Sequence, residues 1–264
     1  MSGLYNRDYS ILTSSEIEER DRLDQQYHSM KFGLCVPFLK YPKAVRHNMS
    51  LFQNNFLDIG DLQEKEKLRK VCEEYQRYLS NCSLSELDIK HFIQDNHYYF
   101  IPASVFTLFN FGHHDAFLFK EFPLGTRYVA DYLLIGKSSD GYSFVFVEFE
   151  HPYRNIKLQD GELGEAFRKG INQVKDWKRF LESQFNAVSD ELKKNSNTNI
   201  NLPDEMYTYD SSRMNYVVVA GKRSDFNENT YRIRREYIRD NNIFLLHYDN
   251  LFDYSLILIK QGNY

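Results

Sequence analysis

Two glutamates at the end of an apolar run are the residues of this chain best spaced for chemistry. Phe144, Val145, Phe146, Val147, Glu148, Phe149 and Glu150 read as an extended strand. Side chains alternate along a strand, so Phe144, Phe146, Glu148 and Glu150 share one face while Val145, Val147 and Phe149 share the other. Burying an unpaired carboxylate costs several kcal/mol, so a core strand that ends in two of them needs a cation or must expose them in a cleft. A divalent metal meets the first condition. The alternative is a strand that leaves the core near Glu148, with both acids simply solvated. A third acid, Asp131, stands in the preceding strand-like run, and Gln173 and Trp177 stand on the helix that follows.

The elements that must position these residues are legible in turn. Three strand-like runs, 116–122, 127–135 and 142–150, are joined by one link with Pro123 and Gly125 and another of the type Gly-Lys-Ser-Ser-Asp-Gly at 136–141. Such short links favour neighbouring antiparallel strands, a meander. Pro152 then leads into a long helix predicted over 162–185. On it Ala166, Gly170, Gln173, Trp177 and Phe180 form one stripe, flanked by Phe167, Ile171, Val174 and Leu181, with Gln173 as the polar exception. Trp177 is assigned to core packing. A polar link at 193–213 precedes a buried-type strand at 216–220, a basic helix at 229–241, a strand at 243–247 and a last helix that Asp249 and Asn250 can cap.

Upstream, Ser85 precedes a helix with Leu87, Phe92 and Ile93 at helical intervals, expected to end before Pro102. Residues 14–30 open with Ser14 and Ser15 ahead of Glu16, a helix-start pattern. The segment 31–57 reads as irregular or short-stranded. Asp61 and Glu64, in capping-box spacing, predict a helix from 61 to about 80. The chain therefore divides into a mostly helical extension, 1–80, suited to assembly or regulation, and an α/β domain, 81–264, with a mixed central sheet flanked by helices.

Composition narrows the function classes. At 264 residues the chain can bury an ample core, and 21 Phe with 20 Tyr make that core aromatic. No apolar run approaches a membrane span and the first residues lack a secretory pattern, so a cytoplasmic location without membrane association is expected. Cys35, Cys72 and Cys82 fit neither a disulfide framework nor a zinc knuckle. The formal charge of −4 excludes a uniformly basic coat. Local excesses of positive charge nevertheless occur at 165–181 (Arg168, Lys169, Lys175, Lys178, Arg179) and at 221–239 (Lys222, Arg223, Arg232, Arg234, Arg235, Arg239). They suit a polyanion held in one cleft, or else are solvated helix faces.

Taken together, this order of elements, Gly125 six residues before Asp131, the run Glu148-Phe149-Glu150-His151-Pro152 and the run Gln173-Val174-Lys175-Asp176-Trp177 resemble the PD-(D/E)XK nuclease fold. More narrowly, from Glu86 to the C-terminus the chain is similar to the Shedu nucleases of prokaryotic anti-phage defence. Gly221-Lys222-Arg223 and His247-Tyr248-Asp249-Asn250-Leu251 resemble that family's closing segments. The resemblance implies a DNA endonuclease that uses Mg²⁺ or Mn²⁺, with Asp131 and Glu148 as metal ligands, helped by the carbonyl of Phe149, and with Gln173 orienting ligands or phosphate. It also implies a homo-oligomer. Glu150 departs from the family pattern by occupying the position of the usual lysine, as in some restriction endonucleases, where it acts as a base or second-metal ligand. Lys169, one turn before Gln173, and Lys157 in the preceding loop are candidates to stand in for the missing ammonium. Glu86 resembles an upstream helical acid of some such nucleases, and His151 is a possible phosphate or ligand-supporting group. His113, His114 and Asp115 lack metal-site geometry and read as a polar loop. The alternative from another class is a catalytically degenerate nuclease-fold protein that serves as a DNA-binding or assembly module.

Overall fold

A computed structural model describes residues 3–28, 35–109, 111, 115–154, 156 and 163–264. In chain order its helices and strands are α1 (Ser14–His28), α2 (Lys43–Asn48), α3 (Lys65–Tyr78), α4 (Glu86–Asp95), α5 (Phe100–Ala103), β1 (Ala116–Leu124), β2 (Tyr128–Ser138), β3 (Gly141–Phe149), α6 (Glu165–Asn195), β4 (Met214–Val219), α7 (Glu228–Asn241), β5 (Ile243–Leu246) and α8 (Tyr248–Gln261). The five strands form one mixed sheet in the order β1-β2-β3-β4-β5. The meander pairs antiparallel, as expected from its short links, with Tyr132 opposite Val147 and Leu118 opposite Leu134. The crossovers through α6 and α7 add β4 and β5 in parallel.

Alternation along β3 sorts the core into two layers. Phe144 and Phe146 pack in one cluster with Phe167, Ile171, Val174, Trp177 and Leu181 of α6, and Tyr231, Ile233 and Tyr237 of α7 lean on the same cluster. Val145, Val147 and Phe149 pack on the opposite face with Val71 and Tyr75 of α3, Ile89 and Ile93 of α4, and Leu251, Leu258 and Ile259 of α8. Residues before position 80 share this second layer. Leu57 N–H donates to the Ala116 carbonyl and Leu118 N–H to that of Asn55, each at 2.9 Å, so this segment partly covers the outer edge of β1.

Several boundaries differ from the sequence expectation, each for a local reason. Asp61 does not start α3. Asp58 caps a 3₁₀ turn at Ile59–Leu62 through Gly60 N–H, α3 begins at Lys65, and Asp61 pairs with Lys43 at 2.6 Å. The segment expected to be irregular or short-stranded holds a 3₁₀ turn at Phe38–Lys40 and the short helix α2, each following a proline that presets its entry. α4 ends at Asp95, and Pro102 then sits inside the four-residue α5, where a first helical turn tolerates its missing N–H. α6 runs ten residues beyond the predicted 185, to Asn195, across a non-helical Gln184, because Val188 and Leu192 continue its buried row. Glu162, the expected start of that helix, lies outside the described residues.

Candidate functional site

The register that brings Tyr132 opposite Val147 carries Asp131, one residue earlier on β2, beside Glu148 at the end of β3. Pairing with β4 persists past Phe149, since Glu150 N–H donates to the Val219 carbonyl at 2.8 Å. The strand therefore does not leave the core at Glu148. Asp131, Glu148 and Glu150 are 9%, 6% and 2% exposed, so the solvated-acid alternative is overturned. Three carboxyl groups are held inside the fold at the carboxyl end of β3, where a crossover begins and clefts of mixed sheets form.

Two lysines answer them from opposite faces of the sheet. Lys90 of α4 donates from Nζ to Asp131 Oδ1 at 2.7 Å, and Phe149 N–H donates to Asp131 Oδ2 at 2.8 Å. Lys169 of α6 donates to Glu150 Oε2 at 2.9 Å. Glu148 Oε2 and Glu150 Oε1 are buried without a hydrogen-bond partner among the described residues. Burial, then the charges of Asp131 and Glu150, push the Glu148 carboxyl up to about 10. Burial raises Glu150 as well, with Lys169 pulling against it. It also raises Asp131, although Lys90 and the Phe149 amide favour its charged form. Burial opposes the charge of Lys90, but Asp131 outweighs it and holds the ammonium above its usual range.

A close helix approach sets this geometry. Gly170 lies one residue after Lys169, and a Cβ there would stand 2.5 Å from Val218 Cγ1 and 3.0 Å from Glu150 Cγ. α6 can therefore lie close to β3 and β4 only with glycine at this position. Gly170→Ala should lower the melting temperature although alanine is the better helix former. The overlap costs about 1–3 kcal/mol against a propensity gain of about 1. Thermal denaturation checks the sign.

A cleft of about 290 Å³ opens on Glu150, lined also by Ser85, Glu86, His151, Arg154 and Lys169. A second, more open cleft of about 480 Å³ is lined by Arg127, Val129, Lys169, Asn172, Gln173 and Asp176. Lys169 belongs to both. Gln173 is half-buried and faces the second cleft, while Trp177 is fully buried in the core as assigned. Glu86, a weak signal in the sequence, faces the first cleft, as does His151, whose Nδ1 accepts from Tyr153 N–H at 3.1 Å. Lys157, His113 and His114 lie outside the described residues, and Asp115 accepts from the Tyr142 hydroxyl. Lys90 was missed in the sequence. Its signal was a lysine between the buried Ile89 and Ile93, one turn after Glu86. The basic positions of α7 are largely engaged on the surface, Arg232 with Glu236, Arg235 with Glu228 and Arg239 with Asp240.

The donors suit a hard divalent ion, because two orphaned carboxylate oxygens lie buried next to a third carboxylate. Among the described residues, however, no three His, Cys, Asp or Glu side chains are already gathered as a metal cage. Nor is any described helix long and apolar enough to cross a membrane. None of the curated proteins matches the chain. A family model described as Shedu protein SduA, C-terminal, matches residues 83–252, a span from the capped start of α4 into α8 that contains Asp131, Glu148, Glu150 and Gln173. The chain belongs to the Shedu family.

Proposed function

We propose that the chain is a metal-dependent DNA endonuclease of a prokaryotic anti-phage defence system, with a PD-(D/E)XK-like core over 81–264. The carrying observation is the pair of buried, unpartnered carboxylate oxygens of Glu148 and Glu150 beside Asp131, an arrangement that is costly to fold without a cation to serve. Asp131 and Glu148 would hold Mg²⁺ or Mn²⁺. Such an ion, bound there, would supply a water of lowered pKa and positive charge to offset that building on the phosphate. Glu150, with Lys169 on its other oxygen, is suited to take a proton from that water or to orient it. Gln173, on the wall of the adjoining cleft, positions the ligands or a phosphate. Lys169, Arg127 and Arg154 line the clefts and offer contacts to a DNA backbone without reading its sequence. Residues 1–80 would govern assembly or access in a cytoplasmic homo-oligomer.

A second reading, a catalytically degenerate module that binds DNA or partners, is favoured by one observation. Lys90 and Lys169 already give Asp131 and Glu150 a counter-charge without any metal. The two readings separate in one assay, in which plasmid and linear DNA are incubated with Mg²⁺ or Mn²⁺, with and without chelator, for wild type and Asp131→Ala. The nuclease reading expects cleavage by wild type that chelation abolishes and Asp131→Ala reduces by about 10³-fold. An inert wild type that still retains DNA at low salt would leave the module.

A further inference from the structure

Both oxygens of Asp131 are already engaged. Oδ1 accepts from the Lys90 ammonium at 2.7 Å and Oδ2 from the Phe149 amide at 2.8 Å. The Lys90 side chain is only 16% exposed and that of Asp131 only 12%, so this pair is sheltered from water and salt. The neighbouring acid is in the opposite condition, since Glu148 Oε2 is buried and unpartnered. The strongest acceptor surroundings in the site are thus filled by a monovalent cation of the protein's own. A divalent ion shared between Asp131 and Glu148 would lie within a few ångströms of that ammonium, and two positive charges so close in a sheltered site repel strongly. They compete for the negative charge of one carboxylate. α4 gives the displaced lysine somewhere to go, because Glu86 lies one turn earlier on the same helix and faces the cleft.

We propose that Lys90 is an internal counter-ion of Asp131 which a divalent ion must displace, so that this lysine sets the metal concentration at which the site fills. The inference rests on the reading that Asp131 and Glu148 hold the ion. Lys90 acts through Asp131 and is a positioning residue in this role.

The test is calorimetric titration of Mn²⁺ into the full chain as wild type, Lys90→Met and Lys90→Arg. Methionine keeps most of the stem and removes the charge, so Lys90→Met should bind Mn²⁺ about tenfold more tightly, whereas Lys90→Arg should stay within about threefold of wild type. In the wild type itself, the ε-methylene resonance of Lys90 should move with Mg²⁺ in step with saturation, a readout that survives even if a variant fails to fold. Unchanged or weaker Mn²⁺ affinity in Lys90→Met, or a Lys90 resonance that stays fixed while Mg²⁺ binds, overturns the displacement and leaves the metal centre standing. Absence of Mn²⁺ binding to every form overturns the metal centre and this inference with it.

Discussion

Glu148→Gln should abolish metal-dependent DNA cleavage while making the protein more stable at neutral and alkaline pH. The two effects share one cause. Glu148 is held in a buried site beside Asp131 and Glu150, and its carboxyl is pushed up to about 10. Its folded pKa therefore lies above the unfolded value of about 4.5. The resulting stability is fully present below about pH 4.5, falls as pH rises, and is lost by about pH 10. At pH 8 the folded carboxyl is still neutral while the unfolded one is ionised, a difference on the order of 5 kcal/mol that favours unfolding. Glutamine is neutral in both states and removes that dependence. With roughly 2–4 °C per kcal/mol for a chain of this size, the melting temperature at pH 8 should rise by about 10–20 °C. Melting curves of both proteins from pH 5 to 9 should converge at the acid end and diverge towards the alkaline end. On the proposed reading, the same change also removes a charged metal ligand. Losing about 4 kcal/mol of charge stabilisation corresponds to about 10³-fold in rate, and added Mg²⁺ should raise the melting temperature of wild type only. Parallel pH profiles for the two proteins would dismiss Glu148 as the strained group.

Exchanging the charges of Glu150 and Lys169 gives the second large effect. Glu150→Lys puts a lysine on the strand, as the proposed nuclease reading would ordinarily expect, but here it would face Lys169, whose Nζ stands 2.9 Å from Glu150 Oε2. The Glu150 side chain is 3% exposed and that of Lys169 is 55% exposed, so the new ammonium would be the buried, unpaired one. The single substitution should lower the melting temperature and reduce cleavage by about 10²-fold. The double variant Glu150→Lys with Lys169→Glu restores an opposite pair. It should recover most of the stability, with a coupling energy of about 1–3 kcal/mol in a double-mutant cycle. Cleavage should return with it, because the lysine then sits on the strand and the acid on the helix. If wild type is inert and Glu150→Lys alone cuts DNA, position 150 is where catalysis was lost, and the module reading replaces the nuclease.

Local pattern, by itself, determined a good deal of this protein. Alternation along 144–150 assigned β3 and the face of each side chain, because strand periodicity does not depend on partners. The two short links determined the meander, and the apolar stripe of α6 determined which side of that helix meets the sheet. The family was legible as well, since the resemblance drawn from Glu86 onwards coincides with the family match over 83–252. Local signals failed at Asp61, where a capping pattern lost to a 3₁₀ turn fixed by Asp58, and at 185, where the helix continued because its buried row did. What only the tertiary structure decided was the electrostatic state of the site. Whether Glu148 and Glu150 are solvated or buried depends on how closely α6 approaches, which turns on Gly170 and Val218. The counter-charges come from afar in sequence: Lys90 lies 41 residues before Asp131, and Lys169 lies 19 after Glu150. Charge interactions depend on distance through space and on the water excluded from it, and neither quantity is written in the spacing of residues along the chain.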